Sequence, residues 1–349
     1  MTRGLAGIAC AMALLVAVPA LPQSASAAKP DPDSPDRIPL EIYNGPRPKN
    51  LDEPDFPMGQ FGDEGWVRFA MMVDRQGKPF DITIIDSTGN RKFEEVAMRS
   101  LERSRFEPGT LDGQPVEAGF ELKYQFQMDN HPAGARMEFI RAFKKLIAAI
   151  KANDRAAADA VMGALKVTNL YEDTYYGMAL YSYATAWGDD SERLRGLRRA
   201  IAFEDSPKYL AKDEYRSALL ECMRLELKTH QYAEALSTGK KLQKTGLDAA
   251  TADSIKVAVG KLEKIRTDES SYDVAGEISD RNWFLHLFKA HFRAIVSDGY
   301  ISEARLRCDR SYRFFAFDAS LQYQVDSRNH ECSIELLGAP GTHFRFVQF

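Results

Sequence analysis

Histidine, cysteine and tryptophan are scarce in this chain of 349 residues, which contains six, four and three of them. No metal-binding constellation is visible, and the closest pair, His286 and His291, lies five residues apart instead of the four that place two histidines on one helix face. No two cysteines have C-x-x-C spacing, and a glycine-rich phosphate loop and a nucleophile elbow are also missing. We therefore expect no metal, no cofactor, no catalytic residues and no enzymatic activity.

An excess of positive charge is missing too, because the formal net charge is -4 at pH 7. Proteins that bind nucleic acids carry a basic patch or stripe that neutralises phosphates. We expect no nucleic-acid partner. The length leaves room for two or three domains.

The N-terminus carries Arg3 and a long apolar run over residues 5–21, followed by an Ala-Ser-Ala-Ala tail. A basic start, an apolar core and small residues at the end are typical of a secretory signal peptide, which we predict over residues 1–28. The alternative is an uncleaved inner-membrane anchor, since the run is nearly long enough to span a bilayer. Pro19 and Pro22 favour cleavage. Membrane contact is expected only if the segment is retained.

A polar segment follows the predicted signal peptide. Residues 29–57 are rich in proline, aspartate, arginine and asparagine. Such a composition indicates an extended and mostly solvated linker.

Residues 65–128 combine two apolar strands, one amphipathic helix and a last alternating strand. Both faces of residues 66–73 are largely apolar, and Gly77 supplies the positive φ that a tight hairpin needs. Residues 91–104 place apolar and small side chains at i, i+3, i+4, i+7 and i+8, the stripe of a helix laid against a sheet. Residues 118–128 alternate between apolar side chains (Phe120, Leu122, Tyr124, Phe126, Met128) and polar ones (Glu121, Lys123, Gln125, Gln127).

Two short sequence motifs follow the helix in a characteristic order: Arg-Phe-Glu-Pro at 105–108 and Gly-Gln-Pro-Val at 113–116. The segment resembles the C-terminal domain of TonB, the periplasmic protein that couples an inner-membrane motor to outer-membrane transporters. The resemblance implies a TonB-like domain over residues 58–130, built as a small antiparallel sheet with one helix.

The same resemblance implies a function. In the TonB family the last strand region pairs with a short transporter segment, the TonB box, by β-strand addition. It thus implies a periplasmic protein of the Gram-negative envelope that binds protein partners, such as an outer-membrane transporter, in energy-dependent transport. The partner-binding residues would be those of the last strand: Glu121, Lys123, Tyr124, Gln125 and Gln127.

Three departures from TonB favour a second hypothesis. The N-terminal segment looks cleavable, the linker is short and lacks Glu-Pro and Lys-Pro repeats, and more than two hundred residues follow the TonB-like segment. The alternative is a periplasmic scaffold or adaptor that has lost the energy-transducing role.

The middle of the chain, residues 135–266, changes to helical periodicity. Helix, polar break and helix recur three times, with breaks near Asn153, Asp189 and His230, close to the period of helical-hairpin repeats. The last hairpin resembles a tetratricopeptide repeat, whose stacks bind peptides; a plain helical packing domain is the alternative. We expect the tyrosines of residues 171–183 to serve core packing rather than ligand contact.

Residues 278–349 return to short strand patterns separated by turn residues, which indicates a small β domain. Cys308 and Cys332 lie in two of these strands, and export exposes them to oxidising conditions, so we predict a disulfide between them and a buried thiol at Cys222. We expect the arginines of residues 305–313 to form a solvated strand face. The whole is predicted to be an α+β multidomain protein.

Overall fold

The computed structural model describes residues 42–57, 59, 62–128, 134–203, 209–280, 282–326, 328–329 and 331–349. The predicted signal peptide, residues 1–28, and the first part of the predicted linker lie outside the described residues.

Strands, then helices, then strands again follow one another along the described chain. The first group comprises β1 (Tyr43–Asn44), β2 (Arg47–Asn50), β3 (Gly65–Val73), β4 (Pro79–Ser87), α1 (Arg91–Arg103), β5 (Arg105–Glu107), β6 (Gly109–Leu111), β7 (Gln114–Val116) and β8 (Ala118–Phe126). The helices are α2 (Met137–Lys151), α3 (Arg155–Ala164), α4 (Leu170–Trp187), α5 (Asp190–Ala200), α6 (Lys212–Lys228), α7 (Tyr232–Leu242) and α8 (Ala249–Thr267). The last group comprises β9 (Tyr272–Ile278), β10 (Asn282–Leu287), β11 (His291–Asp298), β12 (Ile301–Cys308), β13 (Tyr312–Ala316), β14 (Tyr323–Gln324), β15 (Cys332–Gly338) and β16 (Thr342–Gln348).

A three-stranded antiparallel sheet with the order β4-β3-β8, here called the central sheet, carries α1 on its inner face. The helix begins after Asn90, whose side chain accepts a hydrogen bond from Lys92 N at 3.0 Å and so satisfies one free donor of the first turn. The predicted stripe is the buried one, since Phe93, Ala97 and Leu101 are at most 1% exposed. The predicted sheet with one helix is confirmed.

The hairpin between β3 and β4 turns at Gly77, which has the predicted positive φ of 80°. Its carbonyl accepts a hydrogen bond from Phe106 N at 2.8 Å. A Cβ at this position would lie 2.0 Å from the Phe106 carbonyl oxygen, so only glycine fits both the turn and the neighbouring strand.

Short strands occur where the sequence indicates a solvated linker. β1 pairs with β6, and β2 pairs with β5, both antiparallel. Phe56 packs edge-to-face against Phe93 and Phe126, with ring centroids 5.9 Å apart in each pair. Residues 42–57 therefore belong to the folded domain, because their backbone and one aromatic ring complete it.

The helices form the three predicted hairpins, α2 with α3, α4 with α5 and α6 with α7, and α8 follows. Two of the predicted breaks, at Asn153 and His230, are turns with positive φ, and the third is the N-cap of α5, where Asp189 and Glu192 form a capping box. The hairpin boundaries are thus those of the sequence analysis, while their relation to tetratricopeptide repeats stays a prediction.

The C-terminal strands form two four-stranded antiparallel sheets that pack on each other. The first sandwich sheet has the order β10-β15-β12-β13, and the second has the order β14-β11-β16-β9. Leu285 and Ile334 of the first meet Phe292 and Phe346 of the second in one apolar cluster. β9 begins at Tyr272, before the predicted boundary at residue 278.

This apolar cluster continues into the helices. Met223 of α6, Leu236 of α7 and Val259 of α8 belong to the same cluster as the strands of the sandwich. Helices and sandwich therefore share a core, and residues 42–349 form one compact unit.

Candidate partner-binding edge and docking face

The outer edge of the central sheet is β8, the strand predicted to bind partners. It is the last strand in the order β4-β3-β8 and, in the part of the chain that the structure describes, pairs with β3 alone. A strand with a neighbour on one side only can accept a further strand on the other. The alternation is the predicted one, with Tyr124 and Phe126 buried toward α1 and Glu121 and Gln125 exposed.

Three predicted site residues near the end of β8 differ in their roles. Tyr124 is 7% exposed, and its hydroxyl lies 3.1 Å from Ser104 Oγ and 3.1 Å from the carbonyl oxygen of Asp52. Burial raises the pKa of Tyr124. Gln125 and Gln127 are exposed, and Gln125 Nε2 donates to Gln127 Oε1 at 3.0 Å. Tyr124 holds the segment before β3 in place, whereas the side chains of the two glutamines are exposed.

The face of the central sheet opposite α1 is covered by the rest of the chain, and we call it the docking face. It is formed by Trp66, Arg68, Ala70 and Met72 of β3, Thr83 of β4, and Gly119, Glu121 and Lys123 of β8. The sequence shows that both faces of β3 are apolar, but it does not show what covers the second face. Three groups of polar contacts, together with a contact from Lys123, connect this face to the rest of the chain.

The first group joins Glu121 of β8 to His286 of β10 and Glu234 of α7. His286 Nε2 lies 2.7 Å from Glu121 Oε1, and His286 Nδ1 lies 3.2 Å from Glu234 Oε1. One imidazole therefore connects the central sheet, the helices and the sandwich. The sequence gives no local signal for this contact, since 165 residues separate Glu121 from His286.

The surroundings of His286, Glu121 and Glu234 determine the protonation state of each group. Burial alone lowers the pKa of His286, but its hydrogen bonds to Glu121 and Glu234 outweigh burial and raise the pKa to about 10. Burial likewise raises the pKa of each carboxyl, and the contacts with His286 outweigh it, so both carboxyl pKa values are lowered. The site is a charged imidazolium between two carboxylates.

Lys123 lies on the same face as Glu121 and contacts the end of the second hairpin. Its Nζ donates to the carbonyl oxygen of Ala202 at 2.6 Å and lies 4.5 Å from the centre of the Phe203 ring. A cation over an aromatic face adds electrostatic attraction. Lys123, predicted to bind a partner, thus also contacts Ala202 and Phe203 within the chain.

The second group surrounds Trp66, which is 1% exposed. Trp66 Nε1 donates to Asp173 Oδ2 at 3.0 Å, and Arg199 Nε donates to Asp173 Oδ1 at 2.8 Å. Arg199 Nη2 also donates to the carbonyl oxygen of Thr88 at 3.3 Å. Asp173 lies in the first turn of α4, where the positive end of the helix dipole favours a carboxylate. The indole and the guanidinium anchor the central sheet to α4 and α5.

The third group surrounds Arg307 of β12, which is 2% exposed. Its Nε lies 2.7 Å from Asp81 Oδ2, and its Nη2 lies 2.7 Å from Glu335 Oε2, while Thr83 Oγ1 donates to the same Glu335 oxygen at 2.9 Å. Arg305 lies 3.4 Å from Asp81 Oδ1. The prediction of a solvated strand face is wrong for Arg307, because the central sheet covers that face of β12.

The predicted disulfide is present between Cys308 and Cys332, neighbours across β12 and β15. The Cys308 carbonyl oxygen closely approaches Gly119 of β8, where a Cβ would come within 3.0 Å of it. Cys222 is buried with a free thiol, and burial raises its pKa well above the ordinary value. The disulfide therefore fixes the corner of the sandwich that meets the start of β8.

The described residues contain no cluster of three or more histidine, cysteine, aspartate or glutamate side chains arranged to hold a metal ion. None of the helices within the described ranges is both long and apolar enough to cross a membrane.

Comparison with known proteins gives a family match over the central sheet. Residues 60–128 match the family described as Gram-negative bacterial TonB protein C-terminal. This segment is TonB-like. A solution NMR structure of the Pseudomonas aeruginosa TonB C-terminal domain is 24% identical, covering 25% of this chain and 90% of that chain with a TM-score of 0.22. The TonB2 protein from Vibrio anguillarum is 26% identical, covering 31% and 98% with a TM-score of 0.21. The comparison with curated proteins gave no match.

The TonB-like segment contains β3, β4, α1 and β5 to β8, so it includes both the outer edge of β8 and the docking face. The groups that cover the docking face come from outside it: Asp173 and Arg199 from the helices, and His286, Arg307 and Glu335 from the sandwich. The TonB-like segment is thus built into a larger body by contacts that the family match does not describe.

Proposed function

We propose that this protein binds partner proteins in the Gram-negative cell envelope by β-strand addition at the outer edge of β8, in connection with energy-dependent outer-membrane transport. The observation that carries the proposal is the position of β8, the last strand of the central sheet inside the segment that matches the TonB C-terminal family. The proposed contact residues are Glu121, Lys123, Tyr124, Gln125 and Gln127.

Main-chain hydrogen bonds give such an interface its affinity, and alternate side chains give its specificity. Gln125 and Gln127 are exposed and would meet the partner directly. Glu121 and Lys123 already contact His286 and Ala202, so they would form the flank of the bound strand. The role is binding without catalysis. The compartment is the periplasm, with an inner-membrane anchor facing the periplasm as the alternative.

The test uses a synthetic TonB-box peptide from an outer-membrane transporter of the same bacterium as the probe. Proline at Lys123 removes a backbone donor from the strand and costs about 3 kcal/mol or less at a sheet edge. Lys123→Pro should abolish peptide binding measured by fluorescence anisotropy. In the unaltered protein, peptide binding should slow amide hydrogen exchange across residues 118–126.

The matched control is Lys123→Met, which loses the ammonium contacts with Ala202 and Phe203 but keeps the backbone donor. It should bind the peptide nearly as well as the unaltered protein. Circular dichroism shows whether each variant is folded. Unchanged peptide binding by a folded Lys123→Pro variant would show that the edge of β8 is not the binding surface.

The docking face favours a second candidate function, a periplasmic scaffold or adaptor without energy transduction. Contacts from α4, α5 and the sandwich hold the TonB-like segment in a larger body. N-terminal sequencing of the mature protein separates the two. A start near Ala28 or Lys29 removes the membrane attachment that force transmission needs and supports the adaptor, whereas retention of residues 1–28 supports the transducer.

A further inference from the structure

A groove of about 510 Å³ runs between the first helices of the three hairpins, α2, α4 and α6. Its lining is mostly apolar and includes Phe143 of α2, Met178 of α4, Leu197 of α5 and Ala218 of α6. Grooves that bind peptides or small molecules combine an apolar floor with a few polar groups at the rim. No residue of the central sheet lines this groove, so it is separate from the edge of β8.

Aromatic side chains shape the floor of the groove. Tyr175 packs edge-to-face with Phe143, with ring centroids 6.0 Å apart, and it is steadied from its own helix by Tyr171 at 4.9 Å. Tyr181, six residues farther along α4, also lines the groove and donates a hydrogen bond to Glu221 at 3.1 Å. These half-buried tyrosines present rigid apolar surface with little rotamer entropy to lose, which is what anchors a bound side chain.

The rim carries negative charge from Asp213, Glu214 and Glu221 of α6, and no lysine or arginine within the described chain lines the groove. Glu221 is neutralised from outside the groove by Arg193 at 2.9 Å and Arg224 at 2.6 Å.

The other two rim carboxylates are exposed at the start of α6. Asp213 pairs with Arg216, and its side chain is 90% exposed. The described contact of Glu214 is a hydrogen bond from the backbone N of Ala211 at 3.3 Å, and among the described residues no cation pairs with its charge. Glu214 is therefore the rim group placed to attract a lysine or arginine.

We propose that the groove binds a segment of a partner protein that carries large apolar side chains next to a lysine or arginine. The apolar side chains lie on Phe143, Tyr175 and Met178, and the basic side chain lies at Glu214. A second copy of the chain is the competing occupant. Because the groove and the edge of β8 share no residue, both can be occupied at once.

The experiment selects ligands without assuming their sequence. A phage-displayed library of random 12-residue peptides is selected on the purified full chain, and enriched peptides are synthesised and measured by fluorescence anisotropy. The enriched sequences should combine two or more large apolar residues with lysine or arginine. Binding should weaken as salt rises, because the rim contributes electrostatic attraction.

Two pairs of exposed substitutions locate the binding site without disturbing the core. Ser217→Trp fills the groove, and Ser237→Trp places the same side chain on the exposed side of α7. Glu214→Lys reverses the rim charge, and Asp253→Lys makes the same reversal on α8. The two groove variants should weaken binding by about tenfold or more, the effect of a central contact residue. The two control variants should leave it unchanged.

Enrichment of acidic peptides, or of peptides that bind Ser217→Trp as tightly as the unaltered protein, overturns the proposal. Light scattering tests the competing occupant. If the unaltered protein is a dimer and Ser217→Trp is a monomer, the groove binds a second copy and the partner proposal is wrong.

Discussion

The two faces of the central sheet make different kinds of contact. The inner face meets α1 mainly through apolar side chains, with the rings of Phe93 and Phe126 stacked at 4.4 Å. The docking face meets the rest of the chain through apolar contacts, such as Trp66 against Phe203, and also through buried charged groups, with Arg307 between Asp81 and Glu335. The inner face forms the core of the TonB-like segment, and the docking face determines the position of that segment against the rest of the chain.

Apolar contacts and buried ion pairs contribute differently to the fold. Apolar burial is non-directional and stabilises in proportion to the area removed from water. A buried ion pair adds little net stability, since desolvation offsets attraction, yet removing one partner is costly because the other charge stays buried. The inner face therefore supplies stability, and the docking face supplies a single defined position.

The largest expected effect is on the inner face. Phe93→Ala removes a ring that is 1% exposed and contacts both Phe56 and Phe126. Loss of a buried phenylalanine costs about 3–5 kcal/mol through lost burial and the cavity left behind. The free energy of unfolding of the TonB-like segment, measured by native-state hydrogen exchange across β3 and β8, should fall by that amount.

Glu95→Ala on the same helix is the control. Glu95 forms an exposed i,i+4 pair with Arg91, and its side chain is 55% exposed. Exposed pairs contribute about 0.3–0.5 kcal/mol. If the two substitutions proved equally destabilising, the inner face would not be the main source of stability.

A smaller effect is expected on the docking face. Arg307→Met leaves the Glu335 carboxylate, which is 2% exposed, without its closest cation. Breaking a buried pair costs about 3–5 kcal/mol. Because Arg305 still lies 3.5 Å from Glu335, the loss of unfolding free energy should be about 3 kcal/mol. Hydrogen exchange should accelerate around Thr83 and Glu335, while β3 and α1 stay protected.

The double variant Arg307→Met with Glu335→Met sharpens this test. It removes both charges and leaves apolar side chains of similar size, so it should be less destabilised than Arg307→Met alone. Additive losses in the double variant would mean that the two side chains act independently, and the ion pair would not be what positions the central sheet.

The smallest effect is a pH dependence at His286. Its pKa is raised from 6.5 to about 10, so its contribution to docking is complete below about pH 6.5 and is lost as pH rises through about 10. The pKa values of Glu121 and Glu234 are lowered from 4.5, so their contribution is present above that pH and is lost as pH falls. The docked state should be most stable between these limits.

His286→Gln keeps hydrogen bonding but not the charge, so it should flatten the alkaline limb of the stability profile, measured by thermal unfolding from pH 6 to 10. The change should be below about 1 kcal/mol, because the side chains of His286 and Glu121 are 37% and 39% exposed. If the stability of this variant still fell by the same amount as pH rises, a group other than His286 would be responsible.

The sequence predicts well what local pattern and local geometry determine. The stripe of α1 and the alternation of β8 follow from periodicity, and Gly77 follows from turn geometry. Each depends on residues close in sequence, where spacing determines which side chains share a face.

The docking face could not be predicted in the same way. Asp81 and Arg307 are brought together only by the complete fold, and nothing in the arginine-rich stretch of residues 305–313 shows that the Arg307 guanidinium is buried. The largely apolar second face of β3, with Trp66 at its start, was the available signal that something covers it. The sequence could not name the covering element, because no periodicity connects segments so far apart.

The hydrogen bond from the Trp66 indole to Asp173 gives the chain a built-in optical reporter. The three tryptophans fall in three different parts: Trp66 on the docking face, Trp187 at the end of α4, and Trp283 against Phe344 in the sandwich. A variant that retains Trp66 alone would therefore report release of the central sheet from the helices as a shift of its emission to longer wavelength, as the indole enters water. Such a release, if induced by a change of conditions, could thus be followed in real time without any attached dye.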